Sequence, residues 1–393
     1  MAAGWTIADE ATDSELKARY EAHDWTGLAQ VLAARPGPEL YQGAVAAVFN
    51  DAHAEAVLWS AIHASPHSEA AYEGYEWLSH LYVRNGQYRQ LDEAMEKRWA
   101  AFPGRRGEND AMAPLRGLPD QSGAATGATT LHHDGSIFLP ASIEGGTARY
   151  FFDTGALLSC MSESEAKRLG LTIREAEGSL GTSTGARVGL RTAVARDVTI
   201  GGTRFENVSF AIFPDDQEPW SVLPPGQRGI LGIPLLLGLR SLRWSPDGTV
   251  VLGLKPGALD VRKANLFFDN DHLVTAVRFR NERIMMTLDT GAETTDLYEG
   301  FGVRFASVLE KSGRKGSREV RGVGHSESFD SITVPEVRLE VGGLGTTLRP
   351  AHVLMKSIGA KPSVGNVGLD LLKQARAFRI DFGAMTLQLE PNR

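Results

Sequence analysis

The chain has a single cysteine, Cys160, among its 393 residues, so no disulfide can close within it and a zinc site built on thiolates is excluded. Charge of one sign is scarce as well: 41 Lys and Arg stand against 48 Asp and Glu, with both signs interspersed. A nucleic-acid partner needs a basic stripe that tracks phosphates, and none is present. Long apolar runs are missing too. The longest, near Gly229 to Leu239, falls well short of the roughly 20 residues that span a bilayer. The opening residues lack a basic start followed by an apolar run of about 7–15 residues, so no signal peptide is in view. A soluble, cytoplasmic protein is the default expectation; a trimmed export signal ahead of "MAAGW" is the alternative and would make it periplasmic or secreted.

What is present is an ordinary globular composition, 42% hydrophobic, on a length that predicts two or three domains. From about Ser14 to Phe102 the apolar residues follow helical spacing, and the breakers "RPGPE", "SPHS" and "RNGQ" fall between the predicted helices. Residues 1–102 therefore read as an α-helical domain of hairpins. The stretch "WLSHLYVRNGQYRQLDEAMEKRWAAFP" places Leu78, Leu81 and Tyr82 before a turn at Gly86, then Tyr88, Leu91, Ala94, Met95 and Trp99 after it. That pattern resembles a tetratricopeptide unit, which would present a groove to a protein partner; a helical cap packed on the next domain is the alternative. Residues 103–135 have little periodicity and read as a linker. From Ser136 onward short β-type runs alternate with glycine turns, and this region divides into two halves, 136–260 and 261–393.

The halves share landmarks. "RYFFDTGALLS" carries Asp153-Thr154-Gly155 after an apolar run, and "IMMTLDTGAETT" carries Asp289-Thr290-Gly291 in the same setting. Each triplet is followed by alanine. Gly232 of "GILGIPLL" follows Asp153 by 79 residues, and Gly368 of "GNVGLDLL" follows Asp289 by 79. Trp244 and Ile380, in hairpin-like segments downstream, both lie twelve residues past that glycine. One Asp-Thr-Gly alone is adequately explained as turn chemistry at the end of a strand. Two copies in register are an internal duplication and need a shared explanation.

If the halves are related by a pseudo-twofold axis, the same patch of each meets its counterpart, and Asp153 faces Asp289. Two carboxylates in close contact cannot both ionise, so they share a proton and titrate as a pair. Such a dyad can hold a water, one member taking its proton while the other polarises a carbonyl. The Thr154 and Thr290 hydroxyls can tie the two loops together, and Gly155 and Gly291 let the backbone bend sharply and aim N–H groups at the carboxylates.

These residues resemble the retropepsin-like aspartic proteases, in a single-chain, two-lobed form like the pepsins. The resemblance covers about Ser136 to Pro391. It implies an all-β acid protease domain behind the helices, an aspartic endopeptidase acting on polypeptides, catalysis by Asp153 and Asp289 with Thr154, Gly155, Thr290 and Gly291 in support, sufficiency of the monomer, and no metal or other cofactor. It also implies glycine-rich flaps, near Gly181, Thr182 and Ser183 in the first lobe and Gly322, Val323 and Gly324 in the second. Helices of the tetratricopeptide type ahead of such a domain look like the organisation of some bacterial aspartyl proteases. Three departures stand out: neither flap carries the tyrosine of pepsin-like flaps, alanines follow both triplets where pepsin-like lobes have Ser or Thr, and Asn366 stands where the first half has Ile230. The alanines remove a carboxylate donor, which predicts an optimum less acidic than pepsin's. The departures also keep open a catalytically silent peptide-binding scaffold, and the linker a zymogen.

Rival motifs are weaker. "GTSTG" at 181–185 fits a nucleophile elbow around Ser183, but the elbow needs a helix after it and the following residues read as β. His63 with His67, and the "HHD" at 132–134, lack the spacing or partners of a metal site.

Overall fold

The computed structural model describes residues 7–106, 110–181, 187–322 and 325–392. Helices Ile7–Glu21, Trp25–Ala34, Glu39–Val48, Ala54–Ala64, Glu69–Arg84 and Tyr88–Ala101 follow one another, each packing on the next. The breakers act where the sequence places them. Pro38 precedes Glu39 at a helix start, and the Ser68 hydroxyl accepts the Ala71 N–H at 3.1 Å as an N-cap. Gly86, at φ 67°, turns the chain between the last two helices in a backbone conformation that side chains disfavour. Leu28, Ala44, Leu58, Leu78 and Leu91 are buried between the helices.

The stretch expected to be a linker is partly built into the fold. Met112, Leu115 and Leu118 are buried, and residues 110–115 pack on the strand Ile173–Gly181. Thr129–His132 pairs antiparallel with Thr249–Leu252, Thr130 opposite Val251. A four-residue edge strand that borrows an existing hairpin needs no hydrophobic period of its own, so the sequence pattern does not announce it.

The rest is β. Two large sheets, one per lobe, are bridged by a five-stranded sheet ordered 129–132, 249–252, 241–245, 377–381, 386–390. Its central pair joins the lobes directly, Leu242 opposite Ile380 and Trp244 opposite Phe378. The two hairpin segments that share a register in the sequence thus lie side by side about the pseudo-twofold axis. The symmetry breaks at one edge. Leu266–Asp269, the counterpart of Thr129–His132, pairs with His272–Phe279 of lobe 2 instead of extending the bridging sheet. There the Asn265 side chain takes over the edge, accepting the Leu387 N–H at 2.7 Å and donating to the Leu387 carbonyl at 2.8 Å.

In each lobe, the strand that carries the Asp-Thr-Gly is held by a parallel neighbour. Gly146–Phe152 lies beside Gly229–Leu231, with Leu231 opposite Phe152; Glu282–Leu288 lies beside Ser363–Val367, with Val367 opposite Leu288. These are the interior strands that fix the site.

Candidate active site

Phe152 and Leu288 are fully buried at the ends of their strands, so the residues that follow emerge at a fixed place. The chain then turns, and the two turns meet. The Asp153 N–H donates to the Leu231 carbonyl at 2.9 Å, and the Asp289 N–H to the Val367 carbonyl at 3.1 Å. The threonines cross between lobes. The Thr154 hydroxyl donates to the Leu288 carbonyl at 2.7 Å and accepts the Thr290 N–H at 3.1 Å; the Thr290 hydroxyl donates to the Phe152 carbonyl at 3.0 Å and accepts the Thr154 N–H at 3.0 Å. All four bonds are buried, where an unmade hydrogen bond is costly.

The glycines make room for the carboxylates. A Cβ on Gly155 would lie 2.9 Å from the Asp289 carboxyl carbon, and one on Gly291 would lie 2.5 Å from that of Asp153. Each glycine therefore fits against the aspartate of the other lobe. The two carboxyls act directly on one another. Asp153 Oδ1 accepts the Gly155 N–H at 2.7 Å, while Asp289 Oδ1 accepts two, from Gly291 at 2.9 Å and Ala292 at 3.0 Å. Burial first, and then the charge of Asp289, holds Asp153 well above the usual carboxylate range. Burial also raises Asp289, with the Ala292 N–H opposing it. The alanine after the second triplet supplies through its backbone a donor to the carboxylate.

The apolar-Gly motifs lie behind these loops. The Gly232 N–H donates to Ser159 Oγ at 3.0 Å and the Gly368 N–H to Thr295 Oγ1 at 2.9 Å. Ile233 and Leu369 donate to the carbonyls of Ala156 and Ala292, each at 2.9 Å. Ser159 and Thr295 were not singled out in the sequence, although a hydroxyl six residues after each aspartate was there to be read. Asn366 does not loosen the second loop. Its Oδ1 accepts the Asp296 N–H at 2.9 Å and its Nδ2 donates to the Thr294 carbonyl at 3.1 Å, a polar brace where Ile230 packs in lobe 1.

Asp153, Thr154, Gly155, Asp289, Thr290 and Gly291 are thus brought together. Of the flap candidates, only Gly181 and Gly322 are among the described residues. Gly181 and Gly322 end hairpin arms, Ile173–Gly181 with Arg187–Ala195 and Arg314–Gly322 with His325–Val334. Thr182, Ser183, Val323 and Gly324 lie outside the described residues. An antiparallel strand follows 182–186, so the helix that a nucleophile elbow requires is not there. The second hairpin reaches lobe 1, where Arg321 Nε lies 3.7 Å from Glu218. Beneath it Tyr298 and Phe329 are buried with Leu354, and Val320 and Ile358 pack against them. Burial, and then the charges of Asp289 and Asp296, push the Tyr298 hydroxyl up. This aromatic residue near the dyad comes from a strand end, not from a flap, and no local pattern marks it.

Three of the histidines weighed for metal have other partners. His63 stacks on Trp59, His67 reaches the Ala101 carbonyl at 3.2 Å, and His133 stacks on Trp244 with Nε2 2.9 Å from the Ser245 carbonyl. Among the described residues no helix is long and apolar enough to cross a membrane.

Residues 139–235 match the family described as "Aspartyl protease". Among solved structures the chain is similar to a retropepsin-like aspartic protease from Rickettsia conorii, at 18% identity over 34% of this chain and 96% of that one, with a TM-score of 0.25. No curated protein matches the chain. An α-helical region thus precedes a two-lobed β region, and the family match over residues 139–235 supports aspartic protease activity in general terms.

Proposed function

We propose that the chain is an aspartic endopeptidase in which Asp153 and Asp289 share one proton and activate a water. The observation that carries this reading is the placement of each glycine against the opposite carboxyl, with the reciprocal threonine bonds locking both loops. Asp289, whose Oδ1 accepts the Gly291 and Ala292 N–H groups, serves as the carboxylate. It takes the proton of the water as the water oxygen attacks the peptide carbonyl carbon. Asp153 gives its proton to the carbonyl oxygen, forming a tetrahedral diol. Collapse of the diol breaks the C–N bond, with a proton passing to the amine, and the products are a carboxylic acid and an amine. An extended polypeptide between the hairpins and the cleft is the substrate this arrangement suits.

The reading includes activity without removal of the N-terminal region. Segment 103–135 contributes buried side chains and a strand of the bridging sheet, so excising it would remove structure that the lobes use.

Cleavage of denatured casein across pH 3–8, with and without pepstatin, tests the reading. The wild type is expected to cleave with a bell-shaped profile peaking in the weakly acidic to neutral range and with its intact mass unchanged. Asp153→Asn and Asp289→Asn are each expected to abolish cleavage. Residual cleavage by either variant would remove the dyad from the mechanism, and silence of the wild type at every pH would favour the scaffold.

A further inference from the structure

Strands Leu266–Asp269 and His272–Phe279 are joined by a tight turn at Asn270 and Asp271, with Asn270 at φ 51°. The helical region grips this turn twice. His23 Nδ1 lies 2.5 Å from Asp269 Oδ1, which also accepts Trp25 Nε1–H at 3.2 Å, and His80 Nδ1 lies 2.5 Å from Asp271 Oδ1. The Arg84 guanidinium sits over the Phe268 ring at 4.7 Å. Asp269 is buried, and among the described residues its Oδ2 has no hydrogen-bond partner. So much buried polar bonding on one turn, all of it from another part of the chain, calls for a purpose.

The residue after the turn is His272. Val274 pairs with Thr287, and the same register carried two residues on, one past the end of Glu282–Leu288, sets His272 opposite Asp289, on the face that Asp289 shares with Thr287. In lobe 1, Phe138 pairs with Phe151, and the same step sets Ser136 opposite Asp153. Only one aspartate of the pair therefore has an imidazole across from it. The charged groups around His272 are Asp289, whose ionised form it favours, and Asp271, whose ionised form it also favours. Behind Asp271 stand His80 and Arg84 of helix Glu69–Arg84, and across the turn stands Asp269 with His23.

We propose that His272 is a further positioning residue, acting through Asp289 to favour its ionised form, and that the helical region takes part in the chemistry by holding the turn that carries His272. The proposal rests on the dyad reading above. In its charged form an imidazole opposite Asp289 stabilises the dyad with one proton removed. The pair therefore gives up its first proton at a lower pH than it would without the imidazole. His80 occupies Asp271, the competing carboxylate, and leaves His272 directed to Asp289.

The test uses the full chain with His272→Ala, His272→Arg, His80→Ala and His80→Asn, each checked for folding by circular dichroism and thermal melting. Two properties are followed: the pH profile of kcat/KM on casein, and the carboxyl titration by carbon-13 NMR of aspartate-labelled protein, with the dyad signals assigned from Asp153→Asn and Asp289→Asn. In His272→Ala the acid limb and the lower dyad titration are expected to move up by roughly one pH unit, and His272→Arg is expected to restore both. His80→Ala should move them the same way by less. His80→Asn, which keeps an N–H donor for Asp271, should not move them. If the wild type cleaves casein and neither property moves in His272→Ala, the proposal falls while the dyad stands. If the wild type is silent but the carboxyl titration moves as expected, the protease reading falls while the coupling of His272 to Asp289 stands.

Discussion

Asp153 and Asp289 are costly to the fold away from acid pH. Both carboxyls are raised, chiefly by burial, so each holds its proton more tightly in the folded chain than in the unfolded one. Such a group contributes stability that is fully present below the ordinary aspartate value, near 3.9, and is lost as pH rises through the folded value. Asp153→Asn removes that loss and, on the proposed function, the activity with it. Its melting temperature is expected to match the wild type near pH 4 and to exceed it by roughly 2–4 °C at pH 8. Melts at both pH values decide it, since a pH-independent difference would mean that the Asp153 carboxyl is not raised in the folded chain. Gly291 is more restrictive than Gly155, because a Cβ there would lie 2.5 Å from the Asp153 carboxyl carbon. Gly291→Ala should displace that carboxyl and reduce kcat by about 10²-fold or more, as small misplacements at a reacting centre do. A wild-type kcat in a folded Gly291→Ala chain would contradict the close approach.

Among the elements, the strand Ser363–Val367 shows how two halves of unlike sequence build the same support. In lobe 1 Ile230 is buried opposite Phe151; in lobe 2 Asn366 stands opposite Thr287 and braces the backbone of Thr294 and Asp296. Asn366→Leu keeps the branched shape but leaves a buried N–H and a carbonyl without partners, at a cost of about 1–3 kcal/mol. Urea unfolding should show that loss, whereas Ile230→Val in lobe 1 should cost only about 0.5–1.5 kcal/mol. Equal effects would mean that the carboxamide acts only as filler. The sequence shows Asn366 as a departure and its partners as ordinary loop residues. Only the closing of the second loop onto the strand turns the departure into a brace.

At the scale of the molecule, the lobes are one unit because their hairpins pair across the bridging sheet, reinforced by Arg243, whose guanidinium meets Glu390 at 2.7 Å and 2.8 Å. Both aspartates belong to one chain, so specific activity is expected to stay constant on dilution; a fall on dilution would point to a second copy completing the site. The sequence by itself determined the helical and β regions, the duplication and the pairing of Asp153 with Asp289, because each of these is written locally, in hydrophobic period, glycine placement and a repeated triplet at constant spacing. It also held, unread, the hydroxyls of Ser159 and Thr295. The tertiary structure alone decided which neighbours the dyad keeps. Tyr298, at a strand end, feels the charge of Asp289, and the register of the neighbouring strand, carried past its last pair, is what leads us to place His272 opposite Asp289. The helices reach the same turn through His23 and His80, more than 190 positions away in the chain. Contacts between residues so far apart leave no mark on local pattern, because the chemistry of each partner is ordinary until the fold brings them together.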